Sequence, residues 1–225
     1  MKHIVFLISL FTITNLQICN ENAVPKEFVK VKQVIPDIQV DLRYAGTHNF
    51  VGRPLPGYNE AEVILTKQAA EALKNVQLEL EARGLCLKIF DAYRPQRAVN
   101  YFIEWAKKPE DTIGKEEFYP EQDKRNLFNL GYIATRSGHS RGSTIDLTII
   151  DANTLEELDM GGTYDFFGEV SHLYTTSITA KQHKNRELLK LVMSRNGFRS
   201  YSEEWWHFTL RGEPFPNTYF DFVIQ

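Results

Sequence analysis

Apolar positions recur at helical spacing in three stretches of the chain. In TKQAAEALKNVQLELEARG (66–84), Ala69, Leu73, Val76 and Leu80 share one face, Thr66 can cap the first turn and Gly84 ends it. AKQHKNRELLKLVMSRNG (180–197) predicts a second amphipathic helix, closed by Gly197. Between them, RPQRAVNYFIEWAKK (94–108) opens with Pro95 in its first turn and turns Ala98, Phe102 and Trp105 inward. Other stretches keep a period of two, as half-buried strands do. Ile38, Val40 and Leu42 alternate with Gln39, Asp41 and Arg43; Ile145, Leu147 and Ile149 alternate with Asp146 and Thr148; Trp205, His207 and Thr209 alternate with Trp206, Phe208 and Leu210. LCLKIFDAY (85–93) is a further strand, stopped by Arg94-Pro95. NFVGRPLPGY (49–58) and MGGTYDFFGEVSHLY (160–174) read as loops, while 109–135 shows no dominant period. Strands and helices follow one another without a regular βαβ rhythm. The expected class is therefore α+β: one domain over 23–225, a largely antiparallel sheet flanked by helices.

The first twenty residues break from this pattern. Lys2 and His3 precede IVFLISLFTITNL, thirteen residues without a charge. A membrane span needs ~20 apolar residues, so this run fits a signal peptide over 1–20 better than a transmembrane helix. The competing reading is an apolar helix packed on the core. Cys19 follows in Leu16-Gln17-Ile18-Cys19, which resembles a bacterial lipobox with Ile18 where a small residue is usual. The expectation is an exported protein, periplasmic or an outer-membrane lipoprotein anchored at Cys19, with no membrane span. Cys86, the other cysteine, sits in an apolar run and is expected as a buried thiol, and no disulfide framework is expected.

Composition is ordinary for a globular chain, and 26 basic against 29 acidic residues leave a net charge of −3. Nothing in that balance points to nucleic acid. The chemistry is concentrated elsewhere. SGHSRGSTID (137–146) places His139 seven residues before Asp146 on a glycine-flanked loop, and EEWWH (203–207) places His207 three residues after Glu204. Two imidazoles and one carboxylate suit a zinc site that leaves a fourth position open. Each residue alone has a plainer reading, His139 as a hydrogen-bonded structural histidine and His207 as a satisfied core residue beside two tryptophans. Taken together, Asp146 and His207 lie on the less apolar faces of two strands, and Glu204 becomes the spare carboxylate for proton transfer, with Glu203 its competitor. A regular strand would put Glu204 and His207 on opposite faces, so a turn or bulge between them is required. Neither a GxSxG nucleophile elbow nor HExxH is present.

These motifs resemble a known family. SGHSRGSTID is similar to the SxHxxGxxxD signature, and EWWH to the ExxWH signature, of the D-alanyl-D-alanine metallopeptidases. The likeness is nearest to the D-Ala-D-Ala dipeptidases associated with vancomycin resistance and use of wall dipeptides. DLRYAGTHNF (41–50), FDAYRPQRAV (90–99), SRGSTIDLTI (140–149) and LDMGGTYDFF (158–167) extend it along nearly the whole chain. The resemblance implies the D-Ala-D-Ala-peptidase (hedgehog-like) fold. It implies one Zn2+ per chain on His139, Asp146 and His207, and Glu204 as general base and acid. Arg94 would stabilise the tetrahedral intermediate, although an arginine at a strand end is otherwise an ordinary surface ion pair. Tyr44, Asp91, Ser137 and Asp165 would line the dipeptide site, Asp165 holding the substrate ammonium, with a turn role as its structural alternative. Thr144 departs from the alanine that the family usually carries two residues before the aspartate ligand.

The implied activity is zinc-dependent hydrolysis of free D-alanyl-D-alanine in cell-wall dipeptide turnover. A D,D-carboxypeptidase or endopeptidase acting on longer peptidoglycan peptides is the nearest alternative. A zinc-containing wall-binding module without turnover is another, expected to have lost Glu204 or Arg94. An exported enzyme cannot deplete cytosolic dipeptide, so nutrient recovery or wall turnover fits better than glycopeptide resistance.

Overall fold

A computed structural model describes residues 24–225. The signal-peptide and Cys19 lipidation expectations lie outside the described residues. The central element is β5 (Thr144–Asp151), the middle strand of a five-stranded sheet ordered β2–β4–β5–β7–β6. Its neighbours are β4 (Leu85–Asp91) and β7 (His207–Leu210), both antiparallel to it. The edges are β2 (Gln39–Val40), parallel to β4, and β6 (Phe198–Ser200), antiparallel to β7. A separate two-stranded ribbon pairs β1 (Phe28–Lys30) with β3 (Ile64–Thr66). The α+β, mainly antiparallel architecture expected from the sequence is what the chain adopts.

Helix α1 (Lys67–Glu81) begins where the Thr66 hydroxyl accepts the Ala69 amide, and it buries Ala69, Leu73, Val76 and Leu80. Helix α4 (Ala180–Arg195) opens with a reciprocal capping box between Thr179 and Gln182 and buries Leu189, Val192 and Met193. These residues join Leu87, Ile145, Leu147 and Ile149 of the sheet in one apolar core. Helix α2 (Gln96–Ala106) buries Ala98, Phe102 and Trp105 in a second, aromatic cluster with Tyr44, Phe50, Tyr119 and Phe167.

Three expectations need correction. The alternating segment 38–42 forms only the two-residue β2, because the chain turns into a tight 3-10 helix at Arg43–Ala45. Cys86 is half-buried rather than buried, since it lies towards the open end of β4. Trp205 and Trp206 do not begin the last strand: both are buried in a turn, and β7 starts at His207. The unplaced stretch 109–135 contains the single-turn α3 (Lys115–Phe118) and is tied to the end of α2 by Lys124, whose Nζ donates to the carbonyls of Lys108 and Asp111 and lies 3.8 Å from the Trp105 ring.

One glycine has a strict duty. Gly142 ends the 3-10 turn Gly138–Arg141 in the left-handed region at φ +80°, and a Cβ there would overlap the Phe28 ring. Gly142→Ala is expected to cost about 1–3 kcal/mol, read as a fall of ~2–4 °C in Tm per kcal/mol lost. An unchanged Tm would show that β1 moves aside without cost.

Candidate metal centre and its cavity

The site is a row across three strands. Asp91 of β4 pairs with Asp146 of β5, which pairs with His207 of β7. A bulge between Ile89 and Asp91 makes this possible. Without it, Asp91 would share the face of Ile89 and point into the apolar core; one extra residue, Phe90, turns it to the face of Asp146. On the other flank, the turn Glu204–Trp206 is closed by the His207 amide donating to the Glu204 carbonyl at 3.3 Å. That is the turn the three-residue offset required, and it brings the Glu204 Oε2 to 3.2 Å from His207 Nδ1.

His139 arrives from the loop. The Ser137 hydroxyl caps the 3-10 turn by accepting the His139 amide at 3.2 Å. His139 Nδ1 lies 2.7 Å from the Ala92 carbonyl, which only an N–H can satisfy, so Nε2 is the ring nitrogen left to face the other donors. Nε2 faces Asp146 Oδ1 at 3.3 Å and His207 Nδ1 at 3.3 Å, and the latter two atoms are 3.0 Å apart. Three donors thus converge at the floor of one cavity. Asp146 Oδ1 is buried and accepts no well-directed hydrogen bond. A buried carboxylate oxygen left this way is costly unless a cation meets it. The two-histidine, one-carboxylate set with a neighbouring carboxylate therefore fits a divalent metal ion.

Asp146 and His207 act on one another's ionisation, and Glu204 acts on that of His207. Burial alone would lower the His207 pKa, but the carboxylates of Asp146 and Glu204 outweigh it and push it up to about 9. Burial would likewise raise Asp146, yet the two histidines hold it well below the usual carboxylate range.

The cavity above the donors holds about 220 Å³ and is walled by Tyr44, Phe102, Tyr132 and Phe167. Arg94, Ser137, Asp165 and Glu204 all line it. The Arg94 guanidinium lies over the Tyr44 ring at 4.8 Å and the Phe102 ring at 5.5 Å, donates from Nε to Asp91 Oδ2 at 2.9 Å, and places Nη2 3.6 Å from Asp146 Oδ2. It is a partly buried cation oriented within the site rather than a surface ion pair. Asp165 is buried at φ +62°, a left-handed conformation that aspartate tolerates, and its Oδ2 accepts the Tyr44 phenol at 2.7 Å. Burial pushes its carboxyl well above the ordinary range. Such a group ionises readily only when a cation enters beside it.

Residues 25–225 match the family model described as D-ala-D-ala dipeptidase, Peptidase_M15. The chain belongs to the M15 family of D-Ala-D-Ala dipeptidases. It is a peptidase, and His139, Asp146 and His207 form its candidate metal site. Curated relatives named D-alanyl-D-alanine dipeptidase include one from Enterococcus faecium, 40% identical over 198 residues that cover 88% of this chain and 98% of that protein. One from Streptomyces coelicolor is 41% identical with the same coverage. One from Escherichia coli is 34% identical over 184 residues, 82% of this chain and 84% of that protein.

Within this M15 peptidase, most of the residues singled out by sequence meet at one place. Asp91 differs: it is fully buried behind the cavity, accepts the Tyr58 phenol at 2.6 Å and the Arg94 Nε, and lines no part of the pocket. Its position serves Arg94 and His139 rather than a substrate. Glu203, the competitor of Glu204, turns to His172 Nε2 at 3.2 Å and does not line the cavity. Thr144 is also off the wall: its hydroxyl meets that of Thr209 across β5 and β7 at 3.0 Å, so the extra group is absorbed within the sheet. Two residues went unnoticed in the sequence. Arg136 lines the mouth beside Ser137 and lies over Tyr219, and Tyr164 hydrogen-bonds Asp146. Tyr164 stood next to Asp165 in a quoted motif, but adjacency in sequence does not reveal a bond to a residue eighteen positions earlier.

Proposed function

We propose that the chain is a zinc D-Ala-D-Ala dipeptidase that hydrolyses the free dipeptide to two D-alanines outside the cytoplasmic membrane. The observation that carries this reading is a small cavity with the donor triangle and Glu204 on one part of its wall and a buried carboxylate, Asp165, on another. At about 220 Å³ it falls below the ~300–1,000 Å³ usual for larger ligands, which suits a dipeptide. Bound by His139, Asp146 and His207, one zinc ion supplies a Lewis acid for the scissile carbonyl and acidifies water.

The side chains do the rest. Asp165 receives the substrate ammonium, and an N-acylated peptide cannot offer that charge. Glu204 takes a proton as water adds to the carbonyl carbon, then delivers it to the nitrogen as the C–N bond breaks. Arg94, already fixed by Asp91 and two aromatic faces, holds the charge that develops on the carbonyl oxygen. Ser137 and Tyr44 complete the wall around the dipeptide. A binding module would have no use for Glu204 and Arg94 in the same cavity. Extracellular action rests on the apolar segment ending at Cys19, and the mass of the mature N-terminus would test both cleavage and lipidation. Among the described residues, no helix is long and apolar enough to cross a membrane.

The test is amine release from free D-Ala-D-Ala and from an N-acylated peptide ending in D-Ala-D-Ala, before and after chelation. The expected result is cleavage of the free dipeptide alone, lost on chelation and restored by zinc. Cleavage of the acylated peptide would move the assignment to a carboxypeptidase. Zinc binding without turnover of either would leave a binding module.

A further inference from the structure

The two oxygens of Asp146 have different surroundings. Oδ1 faces both histidine nitrogens. Oδ2 turns away from them and accepts the Tyr164 phenol at 3.1 Å, with Arg94 Nη2 further off at 3.6 Å. The Tyr164 ring is buried and clamped: it stacks on Phe90 at 4.6 Å and 18° and meets Trp206 edge-on at 5.4 Å. Phe90 is the residue inserted by the bulge beside Asp91, and Trp206 precedes His207. The phenol is therefore held by the elements that deliver the metal-binding row.

We infer that Tyr164 is a positioning residue that ties down Asp146 Oδ2, so that the carboxylate presents Oδ1 alone to the donor triangle. A carboxylate free to rotate about its last bond can offer either oxygen or both. A hydrogen bond to one of them selects a single presentation and lowers the entropy lost on metal capture. The left-handed backbone at Asp165 gives this arrangement a second consequence. It lets consecutive side chains serve two parts of the site, Tyr164 the metal ligand and Asp165 the cavity wall. Arg186 of α4 anchors the same loop, donating to the carbonyls of Met160, Val170 and His172. The inference rests on the metal reading of His139, Asp146 and His207 but not on the identity of the substrate.

Tyr164→Phe keeps the ring and its stacking and removes only the hydroxyl. Its zinc affinity, measured by competition with a chromophoric chelator, is expected to fall about 10- to 100-fold, the usual size for loss of a hydrogen bond to a metal ligand. The visible bands of the cobalt-loaded protein should shift, while KM for the dipeptide stays within about twofold because no cavity group has changed. Phe90→Leu serves as the packing control: it removes the stacking partner, leaves the hydroxyl, and should weaken zinc binding less than Tyr164→Phe does. Equal zinc affinity and an unchanged cobalt spectrum in Tyr164→Phe would overturn the inference. So would a Phe90→Leu loss as large as that of Tyr164→Phe. A wild-type protein that takes up neither zinc nor cobalt would instead overturn the metal reading itself.

Discussion

Glu204→Gln is expected to lower kcat by about 10²–10⁴-fold, the range that a positioned acid–base group contributes, with KM nearly unchanged. Glutamine keeps the shape and can still hydrogen-bond, but it can neither accept the proton of the attacking water nor return it to the leaving nitrogen. Metal content should survive, and the direction of its pH dependence follows from the neighbouring histidine. Glu204 is one of the two carboxylates that push metal-free His207 up to about 9. Removing its charge lowers that pKa, so a proton competes less for Nδ1 and metal uptake begins at lower pH. The decisive measurement pairs steady-state kinetics with a zinc titration from pH 5 to 8. An inactive variant that has also lost its metal would show Glu204 to be a structural support for His207 rather than the proton carrier. A variant retaining more than about a tenth of the wild-type kcat would reassign the proton transfer.

The second large effect belongs to Asp165→Asn. Truncating one partner of a buried, hydrogen-bonded charge pair costs about 2–5 kcal/mol, so kcat/KM for the free dipeptide should fall about 30- to 4,000-fold. The Tyr44 phenol can still donate to the new amide oxygen, which keeps the wall intact and confines the loss to the ammonium. pH supplies an independent signature. Burial raises the Asp165 pKa, while the cationic dipeptide binds its ionised form. Productive binding is therefore full above the raised pKa and is lost as pH falls through it, at a higher pH than the ~3.9 of an ordinary aspartate. Asp165→Asn should remove this acid limb from the pH profile of kcat/KM. An unchanged limb, or equal losses for free and acylated substrates, would show that Asp165 does not read the amine.

These two residues also separate what could be read in the chain from what could not. By itself the sequence determined the α+β class, helices α1, α2 and α4, and the strands around β5, because amphipathic period and capping are local properties. It also singled out the candidate donor set His139, Asp146 and His207 with Glu204, since a glycine-flanked histidine, an alternating strand and a three-residue offset are all visible along one line of letters. Only the tertiary structure decided how those residues divide their work. Asp91 and Tyr164 each hydrogen-bond partners far away in sequence, Asp91 meeting Tyr58 behind the cavity and Tyr164 meeting Asp146 beneath it. A bulge of a single residue decided that Asp91 shares the sheet face of Asp146, and its register depends on the pairing of β4 with β5 rather than on any local preference. The shortness of β2 and the turn made by the two tryptophans were settled the same way. A period of two says which side chains share a face, but strand length and register are set by the partner strand. The charge states of Asp165 and His207 come from burial and from neighbours that the fold brings within a few ångströms.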